Sequence, residues 1–487
     1  MTNEIFEHNS AEMPKAQQQP LSEYVPSPSP QENGNDNSND NDNATETLFE
    51  EVNRMYTIRE AVNEAKRCLH CKVPQCKKAC PIENNIPDFI HELSMGNMGE
   101  AMNVLHEKTN LPAICGRVCP HEKQCEGHCV LGKKGRPVRI GKLESFIAQF
   151  DSDMQLTHER IPEKTRGKVA IIGSGPAGLT VAGDLARQGF HVTIFEGQPE
   201  AGGVLMYGIP EYRLPKAVVR NEIKKIEDLG VHFVRNCLVG TPESGVTVDS
   251  LFAEGFDAIF MGTGTALPQN LSIPGSDLRR VTQSTDFLHN VNAYVEGALP
   301  MEMVPLRKGD KVAVIGGGNV AMDAARTARR LGADVTVIYR RTQAEMPAIQ
   351  SEYEDAVKEG VNFMWQTNSL EFLGNKKGRV CAIRLSTPDG ECTEPFDRVF
   401  LAIGSRPASR IVSSKQGIEV DENGYVIVGE RPMGMTTRRG VFAGGDVVHR
   451  PQTVVLAMKA AKEVALGIAQ YVDAIKLLED CGLKAEE

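Results

Sequence analysis

KVAIIGSGPAGLTVAGDLARQGFHVTIFE, residues 168–196, decides the fold. The apolar run Val169–Ile172 has the length of a buried strand, and Gly173-Ser174-Gly175-Pro176-Ala177-Gly178 follows it directly. A helical pattern comes next, and a second apolar strand closes on Glu196. The glycines permit a tight turn and let backbone N–H groups approach a pyrophosphate at the helix N-terminus. Glu196 stands about twenty residues beyond the turn, where an acid accepts from ribose hydroxyls. A lone G-x-G-x-x-G is weak evidence. Strand, helix and acid in the right order make Gly173, Gly175, Pro176, Ala177, Gly178 and Glu196 a dinucleotide site.

The plan recurs in KVAVIGGGNVAMDAARTARRLGADVTVIYRR, residues 311–341. Here the turn is Gly316-x-Gly318-x-x-Ala321, with Asn319 and Val320 opening the helix. The matching strand ends not on an acid but on Arg340-Arg341. A carboxylate there would repel a 2′-phosphate, whereas guanidinium groups bind it in charge-assisted forks. The pair therefore predicts NADPH over NADH, against the plainer reading of two solvated surface arginines. Two strand–turn–helix–strand units of one kind predict an α/β protein with two Rossmann-like dinucleotide-binding domains.

Upstream of both lie eight of the twelve cysteines. They read Cys68-x2-Cys71-x4-Cys76-x3-Cys80-Pro81 and Cys115-x3-Cys119-Pro120-x4-Cys125-x3-Cys129. Thiolates are soft ligands for iron–sulfur clusters or zinc. The Cys-Pro pairs and the redox texture downstream favour two [4Fe–4S] clusters, with structural zinc as the alternative. A disulfide framework does not fit a long chain with no secretory leader. Short helical patterns surround the cysteines, as in IREAVNEAKRCLHC and VRIGKLESFIAQF. Their apolar surface reads as modest, so clusters are expected to supply much of this domain's organisation.

The net charge of −10 is concentrated. Residues 1–50 hold ten acidic side chains and one basic, so nine of those ten net charges lie there. Composition makes residues 1–48 a disordered acidic tail. The remainder is near neutral, which points to neither nucleic acid nor an anionic membrane. No apolar run reaches the ~18 residues of a membrane helix, and a cytoplasmic location is expected. The predicted division is a helical cluster domain over 49–165 and a first flavin-domain part over 166–300. A nicotinamide domain over 301–410 and a second flavin-domain part over 411–487 complete it.

Six segments carry a family resemblance: LPAICGRVCP (111–120), IIGSGPAGL (171–179), GGVLMYGIPEYRLPK (202–216), VIGGGNVAMDAAR (314–326), AIGSRP (402–407) and AGGDV (443–447). The chain resembles the small subunit of NADPH-dependent glutamate synthase. It is also similar to the large subunit of NADH-dependent ferredoxin:NADP oxidoreductase and the N-terminal half of dihydropyrimidine dehydrogenase. The resemblance implies FAD on the first unit, with Gly202 and Gly203 near the ring and Gly445, Asp446 and Thr453 near the ribityl chain and ring edge. It implies NADPH over Gly316, Gly318, Asn319, Val320, Arg340 and Arg341. One cluster would be held by Cys68, Cys71, Cys76 and Cys129. The other would be held by Cys80, Cys119, Cys125 and Glu144, with Cys115 as the alternative fourth ligand. Tyr212-Arg213-Leu214-Pro215 belongs to the shared pattern without an assigned chemistry.

The resemblance further implies hydride transfer from NADPH to FAD and single-electron passage through the clusters to a partner, with no protein group acting as catalytic acid or base. The expected assembly is a hetero-oligomer with an FMN-containing glutamate synthase large subunit. The alternative partner is a smaller ferredoxin-reductase-like flavoprotein in an electron-bifurcating enzyme. A non-catalytic scaffold that binds nucleotide and clusters is a third reading, and turnover of NADPH with an artificial acceptor excludes it.

Overall fold

The computed structural model describes residues 48–408 and 417–482. The acidic tail read from the sequence lies almost wholly outside the described residues.

Six helices make the cysteine-bearing domain: α1 (Ile58–Ala65), α2 (Gln75–Ala79), α3 (Ile86–Met95), α4 (Met98–His106), α5 (Pro112–Val118) and α6 (Ile140–Met154). Local chemistry sets their ends. Thr57 and Glu60 form a reciprocal capping box on α1. Gly96, left-handed at φ 85°, stops α3 so that α4 can turn back on it. The domain is better packed than its sequence suggests. Phe89, Leu93, Met102, Leu105, Ile114, Leu143 and Phe146 are fully or almost fully buried. They share one core with Leu179, Phe190 and Met458 of the first dinucleotide-type unit. The short helices hide few residues each, but together they close over the face of a neighbouring sheet.

The first unit carries β1 (Gly167–Ile172), β2 (Phe190–Phe195), β3 (His232–Val234) and β4 (Ala258–Met261), with α7 (Pro176–Arg187), α8 (Val204–Tyr207), α9 (Lys216–Asp228) and α10 (Val248–Ala253). The chain then pairs β5 (Leu267–Pro268), enters β6 (Val281–Gln283) and α11 (Ser284–Val295), and builds a second sheet. That sheet holds β7 (Lys311–Ile315), β8 (Asp334–Ile338), β9 (Asn362–Met364) and the later β13 (Arg398–Leu401), in the order β6-β13-β7-β8-β9, all parallel. Helices α12 (Asn319–Arg330) and α13 (Gln350–Lys358) cover it, and an antiparallel flap of β10 (Asn368–Gly374), β11 (Val380–Thr387) and β12 (Gly390–Pro395) lies alongside.

Strand β14 (Ser405–Arg406) pairs antiparallel with β5, so the outgoing and returning connections run side by side. The chain then completes the first sheet with β15 (Val428–Glu430), β16 (Met433–Thr436) and β17 (Val441–Ala443), giving the order β15-β16-β17-β4-β1-β2-β3. The 27-residue α14 (Val454–Asp480) packs across α7. Among the described residues, no helix is long and apolar enough to cross a membrane. The structure draws one boundary earlier than the sequence reading. Residues from Val281 belong to the second unit, because β6 pairs with β13 and Phe287 and Val291 pack in that unit's core.

Candidate functional site

In the first Gly-rich turn each glycine has a separate job. Gly173 sits at φ +96°, and a Cβ there would lie 2.8 Å from the Gly262 carbonyl oxygen. A Cβ on Gly178 would lie 2.0 Å from the Gly173 carbonyl oxygen, so the helix can approach the strand only without one. A Cβ on Gly175 would meet nothing within 4 Å, although the residue opens α7. That helix start, with Pro176 in its first turn, has no side-chain cap. Its first backbone N–H groups have no side-chain cap, and the space beside Gly175 is open, a cradle that a pyrophosphate fits.

Other predicted residues gather around this start. Glu196 is buried and accepts from the Ser174 and Gln198 backbone N–H groups at 2.9 and 2.8 Å. Ser174 Oγ also donates to Glu196 and accepts from the Gly202 N–H at 2.9 Å. The Gly202–Gly203 turn therefore hangs on the same serine, and a Cβ on Gly203 would stand 3.1 Å from Gly175 Cα. Sequence reading passed over Ser174, since nothing marks the residue between two glycines as a bridge. From the far end of the chain, Gly445 at φ +74° comes so near Ala177 that a Cβ would lie 2.9 Å from that methyl. Asp446 follows it, and burial lifts its carboxyl to about 6. Thr453 caps α14, accepting from the Leu456 N–H at 3.3 Å.

The second turn repeats the logic. Gly316, at φ +140°, has no room for a Cβ beside the Ala402 carbonyl oxygen, whereas Gly318 faces open space. Helix α12 likewise starts without a side-chain cap. Asn319 Oδ1 accepts from the Ile349 N–H at 2.9 Å, which ties the turn to the approach of α13. Val320 is 42% exposed at the helix start. Arg340 and Arg341 are exposed, and among the described residues neither guanidinium enters a hydrogen bond or ion pair.

The cysteines fall into two groups. Cys68, Cys71, Cys76 and Cys129 line one cavity with Ile86, Ile90, Val138 and Ile140. Cys129 is 53 residues beyond Cys76, so the fold rather than the motif brings it in. Burial raises the Cys68 thiol and pushes that of Cys76 up to about 11. Among the described residues no three His, Cys, Asp or Glu side chains meet at the spacing of a single bound ion.

In the second group burial pushes Cys80 up to about 11, with the Glu144 charge adding to it. Cys125 is raised by burial and by the Glu126 and Glu144 charges, and Cys119 by Cys115 and by burial. Burial lifts the Glu144 carboxyl to about 8. Its one hydrogen-bond partner is Asn84, whose Nδ2 donates at 3.3 Å while its Oδ1 is unpaired. Three thiols and a carboxyl thus act on one another's ionisation, a soft donor set that fits iron. Cys115 stands beside Cys119 and 3.6 Å from Met458 Sδ of α14, so it faces both the group and the flavin unit. His121 is the residue the sequence did not flag. It is half-buried, its buried Nε2 has no partner among the described residues, and its ring fills the space a Cβ on Gly141 would need.

The pyridine nucleotide-disulphide oxidoreductase family matches residues 167–461, and the dihydropyrimidine dehydrogenase domain II, 4Fe-4S cluster family matches residues 45–156. The glutamate synthase [NADPH] small chain of Halomonas elongata is 36% identical over 446 residues, covering 87% of this chain and 93% of that one. The putative oxidoreductase AegA of Escherichia coli is also 36% identical, over 88% of this chain and 68% of its own. Among solved structures, Mycobacterium tuberculosis FprA in complex with NADPH superposes with a TM-score of 0.53 at 18% identity, over 66% of this chain and 87% of that one, which shows the fold alone.

Proposed function

The chain belongs to the pyridine nucleotide-disulphide oxidoreductase family, and from that premise we propose that it is the electron-input subunit of an NADPH-dependent glutamate synthase. It is an FAD and iron–sulfur oxidoreductase of the glutamate synthase small-chain type. The finer reading is that NADPH reduces FAD, two [4Fe–4S] clusters carry electrons onward, and glutamate forms on an FMN-containing partner. The observation that carries it is the pair of uncapped helix starts at Gly175 and Gly318, each with open space where a Cβ would stand, together with two groups of half-buried to buried cysteines in the N-terminal domain.

FAD would be held by Gly173, Gly175, Pro176, Ala177, Gly178 and Glu196, with Gly202, Gly203, Gly445, Asp446 and Thr453 around the remainder. NADPH would be held by Gly316, Gly318, Asn319, Val320, Arg340 and Arg341. When bound, the flavin supplies two-to-one electron conversion and the clusters supply single-electron carriage. This chain contributes position and dielectric. Backbone N–H groups orient the phosphates, Glu196 and Ser174 hold the flavin-side turn, and the buried cysteine groups shed water from their ligands.

Anaerobic purification from the native cell, followed by mass spectrometry of what co-purifies, tests the partner. A large subunit with FMN and an amidotransferase domain supports the reading; a short ferredoxin-reductase-like flavoprotein overturns the glutamate part of it. NADPH oxidation with an artificial acceptor tests the subunit alone.

A further inference from the structure

The Tyr212-Arg213 pair sits where three parts of the molecule meet. It lies in the loop that follows Gly202–Gly203, yet its partners belong to the second unit. Tyr212 is fully buried, and the Arg330 and Arg326 guanidinium carbons of α12 lie 4.1 and 4.9 Å from its ring centroid. Arg213 forks between two helices: its Nη1 donates to both Asp323 carboxylate oxygens of the same helix at 2.7 and 2.9 Å, and its Nε reaches Glu352 of α13 at 3.0 Å. Arg326 continues the network to Glu352 and Glu359, and Arg330 pairs with Glu359 at 2.7 Å.

A strap from the chain's first described residues closes the junction. Arg330 donates to the Leu48 carbonyl at 2.7 Å, and the Val52 N–H donates to the Tyr212 carbonyl at 2.9 Å. Phe49 is buried in the second unit's core, while Glu51 pairs with the buried Arg117 of the cysteine domain at 2.9 Å. A further tie lies across the same face: Glu122 accepts from the Gln350 N–H at 2.6 Å, at the start of α13.

We propose that Tyr212 and Arg213 are positioning residues that lock the nicotinamide unit onto the flavin unit in the pose hydride transfer requires. The inference rests on the functional reading above. Helix α12 starts at the glycines proposed for NADPH, and Asp323 lies one turn along it. The loop carrying Arg213 starts at the glycines proposed for the flavin ring. One guanidinium, shared between Asp323 and Glu352, therefore joins the two cofactor supports. The covalent connections offer little rigidity, since β5 and β14 are two residues each. Buried ion pairs are poor evidence for stability, because desolvation offsets their attraction; their best-attested use is to specify one geometry. Hydride transfer is sensitive to that geometry, and a misplacement of ~1 Å can cost ~100-fold in rate.

The test uses full-length holoprotein under anaerobic conditions. Flavin bleaching is followed by stopped flow with NADPH, with 4-deuterated NADPH and with dithionite, a small reductant that needs no second unit. For Arg213→Gln we expect FAD content, iron content, NADPH affinity and dithionite bleaching close to the parent. Bleaching by NADPH should slow by about 10- to 100-fold with a larger isotope effect. Arg213→Lys, which keeps the charge but not the fork, should fall between them. If Arg213→Gln yields no folded holoprotein, Glu352→Gln removes one arm of the same pair and should show the same split at smaller size. Parent-like bleaching by NADPH, or a loss that tracks lost FAD or NADPH binding, overturns the inference. A parent that NADPH does not bleach overturns the functional reading itself, and the parent alone reports that outcome.

Discussion

At the scale of single residues, two proposals turn on charge. Arg340 and Arg341 stand exposed and, among the described residues, without ion-pair partners just past the end of β8, the strand end equivalent to the one that carries Glu196 in the first unit. A charge-assisted hydrogen bond contributes about 1.5–3 kcal/mol, or roughly 10- to 100-fold. The double change Arg340→Ala plus Arg341→Ala should therefore lower kcat/KM for NADPH by that factor and leave NADH nearly untouched. An unchanged NADPH/NADH ratio would return the arginines to the solvent. The fourth ligand of the second cysteine group is also a residue question. Glu144→Ala should remove close to half the iron, whereas Cys115→Ser should keep it; iron content and electron paramagnetic resonance of the reduced protein decide. The reverse pattern would make Cys115 the ligand. The Gly-rich turns were legible at this scale because their spacing is local. Ser174 and His121 were not, since a bridging hydroxyl or an unpartnered ring nitrogen has no sequence signature.

At the scale of elements, the contact between α5 and α6 is set by two glycines. A Cβ on Gly116 would lie 2.6 Å from the Gly141 carbonyl oxygen and 2.6 Å from the Ser145 backbone nitrogen. A Cβ on Gly141 would in turn lie 2.3 Å from the His121 ring. Backbone cannot yield as a flexible side chain does, so Gly116→Ala must push the helices apart. Overpacking of this kind costs about 1–3 kcal/mol. Here the displaced helices carry Cys115, Cys119 and Glu144, so iron bound at the second group should fall as well. A variant with full iron and unchanged thermal stability would show that the helices separate freely. Sequence marked CGRVCP and IGKLES as segments of interest, but the reason each carries a glycine is a neighbour brought in by the fold: α6 for Gly116 and the His121 ring for Gly141.

At the scale of the whole molecule, His106 reports how the domains are held. It sits on α4, 3.6 Å from Glu159 in the connection to the flavin unit, and burial depresses its pKa to about 4. The imidazole is therefore neutral near pH 7, and the contact with Glu159 is not an ion pair there. In the unfolded chain an ordinary histidine titrates near ~6.5. Between about pH 6.5 and 4 the unfolded state binds more protons than the folded one, so stability falls as pH falls through that window. The upper bound on this contribution is about 3 kcal/mol. His106→Gln should flatten denaturation midpoints over that window relative to the parent. An unchanged slope would mean the folded histidine titrates normally.

The sequence by itself determined the two dinucleotide units, their order and the presence of ligand-like cysteines. Each depends on residues within about thirty positions, where turn chemistry and hydrophobic period act directly. Only the tertiary structure decided which distant residues share a site. Spacing alone did not bring Cys129 to the cavity of Cys68, Cys71 and Cys76 or Gly445 to Ala177, which the family resemblance implied, and β6 pairs with β13 more than a hundred residues away. It also turned Tyr212-Arg213 from a pattern into a junction, because their partners Asp323 and Glu352 lie over a hundred residues downstream. Burial selects such pairings by removing water from them, and no local spacing in a chain encodes which surfaces will be buried together.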